Sequence, residues 1–190
     1  ATGDFAVPAP TVSLSSSGRR DEVYRLLVER CSLIDQVYLA LPASDQEGVT
    51  VMVGAMASSM EAWGTTFASQ GGVLQTPDQL DQYCDDVIGE PARFAVSLMV
   101  PEPLSAPLTE QISRVSEFIQ LANITRDIER DLLRGVAYHP SLLPCLGRPA
   151  SESVDTVRAV RKELLVRALH RAPAFTGLMK ELPLPAFSPA

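Results

Sequence analysis

The sequence predicts an all-α protein. Apolar residues recur every three or four positions through most of the chain. Prolines and glycines punctuate these periodic stretches, and no segment shows the sustained apolar–polar alternation of a strand. With 190 residues, 46% of them hydrophobic, the chain can bury one sizeable core, and its length fits a single domain.

Residues 1–18 are small residues, prolines and serines, which predict an extended low-complexity arm. The first helix is expected over 21–41, where Val23, Leu26, Leu27, Ile34, Val37 and Leu41 keep helical spacing and Pro42 stops it. A second is expected over 46–68. Its Gly54, Ala55, Ala57 and Ser58 permit close helix contact, and Gly71-Gly72 breaks it. Thr76-Pro77 opens the third with an N-cap and a first-turn proline. Pro91 is expected to start a new turn or helix beyond it. A long helix begins near Pro107 or Leu108 and runs to about Arg134, with Gly135 as its stop. After a proline-punctuated loop come a helix over 151–172, a short helix, and a proline-rich tail over 182–190.

Charge narrows the function classes. The formal net charge is −7, from 16 basic and 23 acidic residues, which argues against a nucleic-acid binder built on concentrated Lys and Arg. The basic run Arg158, Arg161, Lys162, Arg167, Arg171 reads as a solvated face or as a surface for an acidic partner. No apolar run reaches the roughly 20 residues of a membrane span. Cys31, Cys84 and Cys145 are odd in number, widely spaced and without paired His, so neither a disulfide framework nor a zinc site is expected. Such cysteine usage suits a reducing compartment.

The chemistry concentrates in residues 120–140. Asp127 and Asp131 stand one helical turn apart and so share a face, with Gln120 and Asn123 earlier and Arg134 later on it. The opposite face, Phe118, Leu121, Thr125, Ile128 and Leu132, is nearly all apolar and can be buried. Paired carboxylates on a helix with an apolar back suit Mg²⁺, which takes one or two carboxylates and leaves positions for water and substrate phosphates.

Gln120, Asn123, Arg126, Asp127, Asp131, Gly135, Tyr138 and Pro140 fall in register with the second aspartate-rich motif of the squalene/phytoene synthase family, which the segment closely resembles. Tyr83-Cys84-Asp85-Asp86-Val87-Ile88-Gly89 is similar to that family's Tyr-Cys segment, although Glu90-Pro91-Ala92-Arg93 departs from its small, apolar continuation. The resemblance implies an isoprenoid-synthase-like helical bundle spanning residues 19–181, incomplete at both ends. For an active member it implies Asp127 and Asp131 on Mg²⁺. Gln120, Asn123, Arg126 and Tyr138 would then bind substrate, and Tyr83 would be catalytic beside the developing carbocation. Read by itself, Tyr83 fits a core tyrosine equally well.

Active members also resemble one another in a first aspartate-rich motif on a facing helix, which is not found here. Asp81-Gln82-Tyr83-Cys84-Asp85-Asp86 has its bare look but lies on the Tyr-Cys segment, so Asp85 and Asp86 read as exposed helix charges. Three functions follow. The first is a non-catalytic structural subunit or assembly factor of a larger complex, needing no cofactor. The second is an active Mg²⁺-dependent prenyltransferase joining two prenyl diphosphates head to head, seen as a fragment. The third is a prenyl- or lipid-binding module. Family-like proteins in assembly roles imply a mitochondrial location, with the plastid as the alternative. Residues 1–18 and 182–190 are expected to dock on partner subunits, with Phe5 and Phe187 among the contacts. The initial Ala1 suits a processed protein or a fragment.

Overall fold

The structure, a computed structural model, describes residues 25–26, 28–100 and 103–182, and of Ala150 the backbone alone. The arm over 1–18 and the tail beyond Leu182, with the docking roles expected of them, lie outside the described residues. Six α-helices are delimited among the described residues: α1 Cys31–Ala40, α2 Ala43–Ser69, α3 Pro77–Cys84, α4 Glu90–Ser97, α5 Ala106–Leu133 and α6 Val154–Glu181. A π-helical turn, Asp85–Gly89, joins α3 to α4, and two short 3-10 turns, Pro140–Cys145 and Ala150–Glu152, lie between α5 and α6. Among the described residues there is no strand, only one isolated parallel bridge, Val73 to Ala137.

The chain divides into two compact units, Ala1–Gln46 and Glu47–Ala190. In the first, α1 is shorter than the helix expected over 21–41 because Arg30 leaves helical geometry (φ −106°, ψ 8°). No residue of α1 is buried, so no packing holds a helical register across that point. Its C-terminal end is tied down by the Gln46 amide, which donates to the Leu41 carbonyl at 2.8 Å.

In the second unit α5 and α6 pack along one another, and α3, the π-turn and α4 lie against α5. The main core gathers Trp63 and Phe67 of α2, Tyr83 of α3, Leu121 and Ile128 of α5, Leu164 of α6, and Leu74 and Leu142 from the connecting segments. A smaller cluster of Val96, Leu108, Ile112, Val115 and Leu178 closes the other end.

The local signals set the helix ends. The Thr76 hydroxyl accepts from Gln79 N at 3.2 Å, and the Ser105 hydroxyl accepts from Leu108 N at 3.4 Å, each satisfying a first-turn donor. At the end of α5, Gly135 adopts φ +80°, Val136 N donates to Asp131 O at 2.9 Å and Gly135 N to Leu132 O at 3.1 Å. That is a Schellman stop, formed where the glycine was expected to end the helix.

One helix end needs correction. The helix expected over 151–172 does not end before Pro173; α6 runs through it to Glu181. Pro173 leaves the Leu169 carbonyl without a helical donor, but both residues are exposed and water can serve it. Leu178, buried in the smaller core cluster, rewards continuation beyond the proline. Pro91, by contrast, stands in the first turn of a new helix, α4, as expected. The π-turn bonds Glu90 N to Asp85 O, and the wider turn carries the helix into α4 with Pro91 in its first turn.

Candidate functional site

The polar stripe of α5 forms as its periodicity predicts. Leu121, Ile124, Thr125, Ile128 and Leu132 are buried, which turns Asn123, Asp127 and Asp131 towards the other side. Gln120 is the exception, a buried polar residue only 7% exposed. It is tolerated because the Asn123 amide donates to Gln120 Oε1 at 3.4 Å and the Tyr83 hydroxyl is a polar neighbour.

The two carboxylates stand in different surroundings. Arg126 grips Asp127 through both oxygens, Nε to Oδ1 at 3.2 Å and Nη2 to Oδ2 at 2.8 Å. Arg130 adds Nη2 to Oδ2 at 2.6 Å. The Arg126 hydrogen bonds, helped by the charge of Arg130, hold Asp127 below the usual carboxylate range. Asp131 accepts from the Tyr138 hydroxyl at 3.4 Å and has Arg134 Nη1 at 3.7 Å. Burial pushes its carboxyl upward, the Asp127 charge adds to this, and Arg130 and Tyr138 oppose it.

The sign of the Asp131 shift makes a prediction. An acid whose folded-state value is raised favours folding in its protonated form, so it weighs against stability once pH rises through that value. Asp131→Asn keeps an acceptor for Tyr138 and is expected to raise the melting temperature at pH 7. The gain should shrink towards zero as pH falls below the unfolded carboxylate value of about 3.9. A melting temperature that falls at pH 7 would show that Asp131 stabilises the fold as an ion.

Tyr83 belongs to the core. It is 7% exposed and packed edge-on by Trp63 and Phe67, with ring centroids at 5.4 and 5.9 Å, while Tyr138 lies tilted at 5.4 Å. Burial raises the Tyr83 hydroxyl, against the opposing interaction of the neighbouring Tyr138 and Gln120 side chains. Gln120, Tyr83, Tyr138 and Asp131 therefore stand together as one polar row at the edge of the core, in which the Tyr138 hydroxyl donates to Asp131. Burial and the neighbouring Tyr83 raise Tyr138 as well. The adjacent Cys84 thiol is pushed up by burial and is an inert core sulfur.

What places Tyr138 is a lock between two loops. Gly72 and Gly135, at φ +88° and +80°, let the loop after α2 approach the loop after α5. Ala137 N donates to Gly72 O at 2.8 Å and Leu74 N to Ala137 O at 3.0 Å. In the sequence Gly71-Gly72 reads only as a helix break, and Trp63 and Phe67 have no evident part in the site. The one local signal was that pair of aromatics one turn apart, just before two glycines.

Asp85 and Asp86 are not the exposed charges that the sequence suggested. Asp85 accepts from Arg93 Nη1 at 2.9 Å and from the Ser113 hydroxyl at 2.7 Å, and Asp86 accepts from Trp63 Nε1 and Gln82 Nε2, both at 2.8 Å. Burial works against ionised Asp85, but Arg93 and Ser113 outweigh it and lower its value. On consecutive positions of a helix, one carboxylate reaches α4 and α5 while the other reaches α2. Both are structural ties.

Among the described residues no three His, Cys, Asp or Glu side chains converge as a metal site. Asp127 and Asp131 are left as a pair whose oxygens already meet guanidinium groups or a tyrosine. The donor set fits a divalent cation poorly.

The squalene/phytoene synthase family model matches residues 20–190. No curated protein and no solved structure matches the chain. Together with the paired carboxylates on α5 and the tyrosine row behind them, that match identifies the chain as belonging to the squalene/phytoene synthase family.

Proposed function

We propose that this chain is a non-catalytic squalene/phytoene synthase-like subunit of a larger assembly. The carrying observation is the state of the carboxylate pair: Asp127 is neutralised by Arg126 and Arg130, with no third acidic or imidazole ligand among the described residues. Ionising two prenyl diphosphates needs charge stabilisation preorganised around both leaving groups, and such electrostatics are worth orders of magnitude in rate. One self-neutralised pair does not supply it. The surface supports a subunit role. Val51, Val53 and Met60 of α2 are exposed, and Leu33, Ile34, Val37 and Leu39 of α1 are exposed as well. Apolar area of that kind is commonly covered by a partner.

A second reading, an active Mg²⁺-dependent head-to-head prenyltransferase, is favoured by the polar row of Gln120, Tyr83, Tyr138 and Asp131. Incubation with labelled farnesyl and geranylgeranyl diphosphate plus Mg²⁺ separates the two. No squalene, phytoene or cyclopropyl intermediate is expected. Product that disappears in Asp127→Ala would establish the second reading instead. Native mass measurement of the protein as isolated tests the subunit role, which fails if the chain is recovered alone as a stable monomer.

A further inference from the structure

We infer that Arg130, which lies outside the family motif and adds to that motif's own Arg126, supplies the counter-cation that closes the Asp127–Asp131 pair to divalent metal. The inference deepens the non-catalytic reading and rests on it.

Three arginines, Arg126, Arg130 and Arg134, face two carboxylates, so the local charge is positive before any ligand arrives. Arg126 spans both oxygens of Asp127 in a fork, the geometry in which guanidinium binds carboxylate best. Arg130 lies between the two acids. It bonds Asp127 directly, and its charge also acts on Asp131. Asp131 is turned to Tyr138 through Oδ2 and to Arg134 through Oδ1.

A divalent ion entering here must displace tethered guanidinium groups and meet their repulsion. The carboxylates offer it few free oxygens in return. Metal alone, without substrate phosphate to complete its coordination, has no favourable entry. The arginines are themselves well exposed, at 68% for Arg126 and 48% for Arg130, so exchanging them leaves the core untouched.

The test uses the full chain and Mn²⁺ as the probe, with free ion counted by electron paramagnetic resonance. Wild type is expected to bind no Mn²⁺ through Asp127. The double variant Arg126→Gln/Arg130→Gln should gain one site, at least about tenfold tighter than any wild-type binding, because two exposed ion pairs no longer compete. Adding Asp127→Asn should abolish that gain. Arg126→Lys/Arg130→Lys keeps the charge and should stay closed. Closure is overturned if wild type binds Mn²⁺ in an Asp127-dependent way, if the glutamine variant gains nothing, or if the lysine variant opens as far as the glutamine one. The prenyl diphosphate assay judges the parent reading separately. Wild-type Mn²⁺ binding without product sinks closure alone, whereas wild-type product sinks the non-catalytic reading.

Discussion

Gly72→Ala is expected to lose about 3–4 kcal/mol of stability. A Cβ at Gly72 would lie 2.2 Å from the Gly135 carbonyl oxygen, and that atom is backbone, so no rotamer change relieves it. The φ of +88° adds left-handed strain of about 1–2 kcal/mol. Parting the loops also breaks the two bonds between Gly72, Leu74 and Ala137, each worth about 1 kcal/mol. For a chain of this size the melting temperature should fall by roughly 10 °C. Gly71→Ala is the control. It shares the positive φ, at +68°, but has open space around it, so it should lose only the strain. Because Tyr138 follows the lock, near-ultraviolet circular dichroism of the tyrosine cluster should change with Gly72→Ala and not with Gly71→Ala. Equal melting temperatures for the two variants would remove the lock from the account.

The second large effect is expected at Glu117. This carboxylate, 7% exposed, sits between α5 and α6 and accepts from Arg167 Nε and Arg171 Nε, each at 2.6 Å. Arg167 also pairs with Asp81 of α3, so one network ties three helices. Glu117→Ala deletes the shared acceptor and leaves Arg167 and Arg171 facing each other. Breaking a fully buried pair costs about 3–5 kcal/mol, and the partial exposure of both arginines lowers the expectation to about 2–3 kcal/mol. In urea unfolding the midpoint should fall while the slope stays constant. Glu117→Gln keeps the volume and one acceptor and should recover only part of the loss. A midpoint unmoved in Glu117→Ala would show that the network contributes no net stability.

Neither role was legible in the sequence, where Gly72 reads only as a helix break, and the reason is physical. Glu117 lies 50 and 54 positions from its two arginines, and Gly72 lies still farther in sequence from Gly135. What was legible was local. The Thr76 cap, the Gly135 stop and the apolar back of α5 depend on residues within a few positions of one another. Each formed near where periodicity and capping chemistry placed it. The departures came where distant packing overrides a local rule. Pro173 is a helix breaker locally, but Leu178 beyond it has a core to enter. Asp85 and Asp86 read as solvated charges until Arg93, Ser113 and Trp63 are brought to them.

The sequence by itself determined the all-α class, the long helix carrying Asp127 and Asp131 on one face, and the eight-position pattern that marks the family. Spacing along a helix is enough for each, since 3.6 residues per turn converts position into direction. Only the tertiary structure decided what those groups meet. It put Tyr83 inside an aromatic cluster, set Tyr138 against Asp131 through a lock formed by two glycines, and left Arg126 and Arg130 on Asp127. A carboxylate's chemistry depends on the charges and the water within a few ångströms of it, and those neighbours come from wherever in the chain the packing draws them.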